Sequence, residues 1–226
     1  MGHRLIALDN LRGIAFILML IQHLFYFTDV SNDYGTSYSS NYIISTIGTI
    51  ARSLFLFLVG YSMVYSSHKK DYLKKRIKNS LKILFHALLI SILTYIYFPD
   101  KYIRFGILHF IGTITLLLGF IIPYEKLYYI LLIFLLYLRN IKIPNIHPFI
   151  NLMLNDPQNN LMMDYFPIIK WTPMVLLGMI CASNKLDEKL VTNNLLTKIG
   201  QNSLELYTGH IFIIILTIYY VIQKKD

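Results

Sequence analysis

LDNLRGIAFILMLIQH, residues 8–23, is apolar enough to enter a bilayer, yet it carries Asp9, Arg12 and His23. In a helix of 3.6 residues per turn, Asp9 and Arg12 lie one turn apart on the same face. Eleven residues further on, close to three turns, His23 returns to that face about 16 Å along the axis. Phe16 and Met19 fill the stripe between them. Lipid rejects ionisable groups, so this face is expected to point into a helix bundle or a hydrated cavity. Two readings stand side by side: an ion pair that locks neighbouring helices, or a site of chemistry. For Asp9 and Arg12 the architectural role is the expected one. For His23, whose imidazole changes charge near neutral pH, the expected role is that of a general base.

The rest of the chain has the same character. Of 226 residues, 55% are hydrophobic and only 15% charged, with a mean hydropathy of +0.52. Soluble domains are usually about a quarter charged. Apolar runs of roughly 18 or more residues recur along the chain, the mark of membrane-spanning helices. The expected fold is therefore all-α, a polytopic membrane helix bundle of about seven transmembrane helices forming one domain over 1–226. The spans fall at about Leu5–Phe27, Ile43–Ser66, Asn79–Phe98, Ile103–Ile122, Lys126–Leu138, Tyr165–Ser183 and Ile199–Ile222. The first is expected to be retained rather than cleaved as a signal, because Asp9 and Arg12 interrupt its start and no A-x-A-like site follows.

A net charge of +9 invites a nucleic-acid reading, but the location of the charges opposes it. The densest block, HKKDYLKKRIKNSLK (68–82), lies between two apolar runs, where the positive-inside rule collects basic residues. The expected partner is the lipid bilayer, with no nucleic acid. Residues 28–42 hold Asp29 and Asp33 but no Lys or Arg, and belong outside. Residues 67–78 and 184–198, the latter with Lys185, Lys189 and Lys198, belong inside, which places the N-terminus in the cytoplasm. Lys224 and Lys225 then fall outside, against the rule. The Pro-, Asn- and Asp-containing segment 139–164 is either a passive extracytoplasmic connector or a cap over a substrate site.

Further polar residues interrupt other spans. Arg52 lies in IARSLFLFLVGYS (50–62), and His109 lies beyond Arg104 in IRFGILHFIGT (103–113). NSLELYTGHIF (202–212) sets Ser203, Tyr207 and His210 on one helical face. His68 and His86 sit at or near the entrance of the third span. Each alone reads as a satisfied bundle residue or a helix-end charge; spread over four spans, they point together to a shared interior site. GYSMV (60–64) lacks the second glycine of a serine nucleophile elbow, and no phosphate loop or H-E-x-x-H occurs. Cys181 is the sole cysteine, so the chain has neither an internal disulfide nor a Cys-rich metal site. Covalent serine chemistry and a metal centre are not expected.

RLIALDNLRGIAFILMLIQH (4–23), ARSLFLFLVGYS (51–62), IRFGILHFIGT (103–113), DYFPIIKWTPMVLLGMI (164–180) and IGQNSLELYTGHIF (199–212) together resemble short membrane proteins similar to the catalytic region of heparan-alpha-glucosaminide N-acetyltransferase. LDxLRGIA is shared with other multi-span acyltransferases, whereas RFGILH and DYFPxxxW tie the chain to this group. The resemblance implies acyl transfer across a bilayer, with acetyl-CoA as co-substrate and no metal. The acceptor would be an amino or hydroxyl group of a sugar or glycan on the far side. It also implies roles: Lys74, Lys75 and Arg76 would meet the CoA phosphates, and His23 or His109 would deprotonate the acceptor. Arg104, Arg52, His210 and Tyr207 would position substrate or stabilise the oxyanion. A covalent acetyl-histidine is the alternative chemistry. Lys170 precedes Trp171 where short relatives usually have Pro. The chain also lacks the additional spans of the eukaryotic enzymes, so a homodimer is one way its site would be completed. Two other classes stay open. A transporter or permeation protein accommodates buried charges equally well, although repeated halves and paired broken helices are not evident. A non-catalytic membrane scaffold is the other.

Overall fold

The computed structural model describes residues 6–31, 41–68, 71–141, 144, 146–154, 162–183 and 194–223. Among them all regular structure is helical, apart from an isolated parallel bridge between Phe105 and Tyr165. The helices are α1 (Ile6–Ser31), α2 (Tyr42–Tyr65), α3 (Tyr72–Tyr97), α4 (Ile107–Gly119), α5 (Glu125–Leu138), α6 (Pro148–Leu154), α7 (Ile168–Ser183), α8 (Leu195–Gln201) and α9 (Ser203–Gln223). A 3-10 turn, Pro99–Lys101, precedes α4. Every expected span corresponds to a helix. Four of them, in α1, α2, α3 and α9, are long and apolar enough to cross a membrane. The 24 residues of α2 reach about 36 Å, beyond the roughly 30 Å of a hydrocarbon core. The other three, α4, α5 and α7, have 13, 14 and 16 residues.

The boundaries shift for local reasons. α3 begins at Tyr72 rather than Asn79, because Lys and Arg are good helix formers and nothing in 72–79 breaks a helix. Lys74, Lys75 and Arg76 thus ride on the helix. α4 begins only at Ile107, after Pro99 and Gly106 hold the approach in irregular backbone. α7 starts just after Pro167, whose ring disfavours helix in the residue before it. The last span divides into α8 and α9 at Asn202, whose amide side chain donates to the Lys198 carbonyl. Expectations for residues 32–40, 155–161 and 184–193, including Asp33, Lys185 and Lys189, lie outside the described residues, as do Lys224 and Lys225.

The chain divides into two compact units, Met1–Phe55 with Glu188–Asp226, and Leu56–Asp187. In the first, α1 is the axis. α8 crosses its first half so closely that a Cβ on Gly13 would overlap the Leu196 carbonyl, and one on Gly200 the Asp9 carbonyl. The Thr197 hydroxyl donates to Asn10 Oδ1 across the same seam. α9 packs further along α1, where Ala15, Phe16 and Met19 are buried, as are Tyr207, Ile215 and Ile218 on α9. Gly48, in the first half of α2, lies against the Gln22 side chain.

In the second unit α3 and α4 run antiparallel. The Ser80 hydroxyl donates to the Gly112 carbonyl at 2.5 Å, and Leu84 occupies the space a side chain at 112 would need. α7 crosses the second half of α2 through two glycines, Gly60 against the Val175 carbonyl and Gly178 against that of Phe57. α5 packs on α7, and the Tyr128 hydroxyl donates to the Ile122 carbonyl at the turn before α5. Leu56, Leu58, Met63, Phe110, Phe166, Leu176 and Met179 fill the interior.

Candidate active site

The charged stripe of α1 is divided between two surroundings. Asp9 is buried, with 1% of its side chain exposed, and Arg12 Nη1 donates to its Oδ1 at 2.6 Å. This is the turn on which α8 packs, so the ion pair sits beside the Gly13–Gly200 seam. Three turns later His23 meets α9. Its Nδ1 lies 2.8 Å from Nε2 of His210, with the ring centroids 5.1 Å apart and the two ring planes 18° from parallel. His210 Nδ1 in turn lies 3.1 Å from the Leu206 carbonyl oxygen, one turn back along α9.

Aromatic rings set the orientation of the pair. Tyr207 stands edge-on to both imidazoles, with centroids 6.3 Å from His23 and 5.2 Å from His210, and Phe16 meets His210 edge-on at 5.5 Å. Helical spacing brings them together: Phe16 and His23 are i and i+7 on α1, Tyr207 and His210 are i and i+3 on α9. Arg52 lies in the first half of α2. Its guanidinium bonds back to the Gly48 carbonyl at 3.0 Å and the Thr49 hydroxyl at 3.4 Å.

His109 belongs to the second unit, as the third residue of α4. Its Nδ1 accepts the Gly106 N–H at 3.3 Å, and its Nε2 lies 3.2 Å from the Ser91 hydroxyl oxygen. The Ser91 hydroxyl donates to the Ile103 carbonyl at 2.6 Å. With Nδ1 accepting, a neutral ring carries its proton on Nε2 and donates to Ser91. That direction is the reverse of a serine nucleophile and its base, where the hydroxyl donates to the imidazole. Asp164 completes the junction by accepting the Ile107 N–H at 2.9 Å, one of the open donors at the start of α4. RFGILH and DYFP are thereby joined. Phe105 bridges Tyr165, the Phe166 N–H donates to the Phe105 carbonyl at 3.0 Å, and the Phe166 ring lies 4.9 Å from that of Trp171. Neither Ser91 nor Asp164 stands out in the sequence as a site residue. The one signal in the sequence is Asp164 standing three residues before Pro167 at the head of an apolar helix.

The remaining basic residues are dispersed. Arg104 is exposed, with its guanidinium 5.5 Å over the Tyr102 ring. Lys74 and Lys75 are exposed on the first turn of α3. Arg76 donates to the Met63 carbonyl at 3.2 Å and the Ser66 hydroxyl at 2.5 Å, fastening the start of α3 to the end of α2. Among the described residues, no group of three or more His, Cys, Asp or Glu is placed to hold a metal ion.

Residues 4–212 match the family described as heparan-alpha-glucosaminide N-acetyltransferase, catalytic. The chain belongs to this family. No curated protein and no solved structure matches the chain. The heparan-alpha-glucosaminide N-acetyltransferase match begins just before α1 and ends two residues beyond His210, so it takes in both histidine clusters and the RFGILH–DYFP junction. Together with the apolar helices, membership makes this an integral membrane protein and points to acyltransferase chemistry.

Proposed function

We propose that the protein transfers acetyl from acetyl-CoA to an amino or hydroxyl group of a sugar or glycan, with His23 as general base. The observation that carries this reading is the His23–His210 pair on two apolar helices, beside Tyr207. Imidazoles within spans are costly, and they recur where a hydrated interior uses them. The architectural need for charge on α1 is met separately by Asp9 and Arg12.

A lone pair of the acceptor nitrogen or oxygen attacks the thioester carbonyl carbon while His23 takes the acceptor's proton. Collapse of the tetrahedral intermediate breaks the C–S bond, and the imidazolium returns the proton to the leaving thiolate. The products are the acetylated acceptor and CoA with a free thiol. Negative charge on the carbonyl oxygen calls for a fixed donor, a role for the Tyr207 hydroxyl or the Arg52 guanidinium. Arg104, exposed beside Tyr102, is assigned to acceptor positioning. Donor recognition is assigned to Lys74 and Lys75 on a cytoplasmic face, with the N-terminus also cytoplasmic, so acetyl-CoA binding weakens as salt rises. Arg76 contributes by holding the start of α3. His109, with both ring nitrogens engaged, positions the start of α4.

The test is purified protein in lipid with labelled acetyl-CoA and a panel of amino sugars and their N-blocked, hydroxyl-bearing counterparts. Wild type transfers label, and His23→Ala lowers the rate about 10²- to 10⁴-fold, the usual worth of a general base. His109→Ala loses rate only in proportion to its loss of folded protein. Neither transfer nor hydrolysis with any acceptor would remove the acetyltransferase reading in favour of transport or a scaffold.

A further inference from the structure

One partner in the His23–His210 cluster has no choice of role. The Leu206 oxygen is a backbone carbonyl and only accepts, so His210 presents an N–H from Nδ1. That carbonyl already serves the helix ladder, and its second lone pair takes the imidazole proton. A neutral His210 therefore bears its lone pair on Nε2, the atom that faces His23 at 2.8 Å. His23 must donate from Nδ1 to meet it. The opposite arrangement would set two lone pairs or two N–H groups against each other at hydrogen-bonding distance. Once His23 carries its proton on Nδ1, its Nε2 is a bare lone pair, and among the described residues nothing is hydrogen-bonded to that nitrogen.

We infer that His210 is a positioning residue that holds His23 in the Nδ1–H tautomer, leaving Nε2 as the proton acceptor for acyl transfer. The catalytic meaning rests on the proposed role of His23, whereas the tautomer is a property of the folded chain. The arrangement does for His23 what a buried carboxylate does for the base of a serine triad: it fixes which nitrogen is bare and where it points. A carboxylate at 210 would bring a net negative charge into an apolar span, while imidazole accepts the same hydrogen bond without it. Tyr207 and Phe16, edge-on to the His210 ring, oppose the rotation that would turn its Nε2 away from His23. Leu206 and His210 belong to the same helix, so the relay has one moving joint, the contact between α1 and α9.

Nitrogen NMR separates protonated from bare imidazole nitrogens, and ¹⁵N-histidine protein in lipid provides the test. The His23 signals are assigned by their loss in His23→Gln. At neutral pH wild type should show His23 protonated at Nδ1 and bare at Nε2. In His210→Ala the preference for Nδ1 should be lost, with kcat down roughly 10- to 100-fold and KM for acetyl-CoA and acceptor within about twofold. His210→Gln, whose amide oxygen accepts from Nδ1–H, should restore the tautomer and most of kcat. A wild-type His23 protonated at Nε2 overturns the inference, and that spectrum decides it even if the alanine variant does not fold. Retention of Nδ1–H in His210→Ala overturns it as well. A correct tautomer in a protein that transfers no acetyl would instead retire the acetyltransferase reading and leave the assignment of His210 standing.

Discussion

A single methyl group probes what the LDNLRG turn does for the fold. A Cβ at Gly200 would overlap the carbonyl oxygen of Asp9, and backbone cannot rotate out of the way as a flexible side chain can. Gly200→Ala must therefore push α8 off α1, and overpacking of this kind costs about 1–3 kcal/mol. Gly209, inside α9, has no atom within 4 Å of its Cβ position. Gly209→Ala should be neutral, or stabilising by up to about 1 kcal/mol through helix propensity and a less flexible unfolded chain. Thermal unfolding of the two variants in the same detergent separates them. Equal melting would mean that the seam between α1 and α8 contributes nothing. The same contrast answers why a span keeps Asp9 and Arg12: they flank a backbone contact too close for any side chain, where the pair satisfies its own charges.

Between elements, what could be read from the sequence depended on range. The helices were legible because apolar runs and punctuating Pro and Gly are local signals. At the start of α3 a run of charge reads as loop, whereas its Lys and Arg residues favour helix. His23 and His210 were each visible as polar residues on apolar faces. Their pairing was not, because it depends on how far α9 is rotated about its own axis against α1. The α4–α7 junction was hidden for a similar reason. Asp164 caps a helix that lies far upstream of it in the chain, and no local pattern encodes that contact. Its worth is testable. Asp164→Ala leaves the Ile107 N–H without its acceptor and should cost about 1–2 kcal/mol, the range of a lost helix cap. Asp164→Asn keeps an accepting oxygen and should recover most of it, short of about 0.3–1 kcal/mol for the charge at the helix N-terminus. Thermal melts of the two variants decide the point, and identical losses would mean that charge rather than hydrogen bonding holds the junction.

The number of membrane crossings follows from two constraints, each internal to one unit. In the first unit the chain from α8 into α9 advances along α1 in α1's own direction, with Thr197 beside Asn10, and His210 beside Phe16 and His23. α1 and α9 then start from the same membrane face, which requires an odd number of crossings between them. In the second unit Asp164 and Tyr165 lie against Ile107 and Phe105, so the starts of α4 and α7 share a face and α4 and α5 cross together or not at all. α4 lies antiparallel along α3, from Gly119 at Arg76 to His109 at Ser91, which argues that it crosses. Five crossings then separate α1 from α9, and the described helices cross seven times in all. At about 20 Å, α4 is too short to span alone. Irregular backbone at 103–106 and 162–167 makes up the difference, tolerable at membrane depth because Ile103, Phe105 and Phe166 are buried in protein rather than exposed to lipid. Tyr124, exposed between α4 and α5, is the deciding position. In a Cys181→Ser background, single cysteines replacing His68, Asp100, Tyr124 and Asn140 can be labelled with an impermeant maleimide in sealed vesicles. Asp100→Cys and Asn140→Cys should label from one side, and His68→Cys and Tyr124→Cys from the other, which the positive-inside rule makes cytoplasmic. Labelling of Tyr124→Cys from the Asp100 side would mean that α4 and α5 turn back within the membrane and that the chain crosses five times.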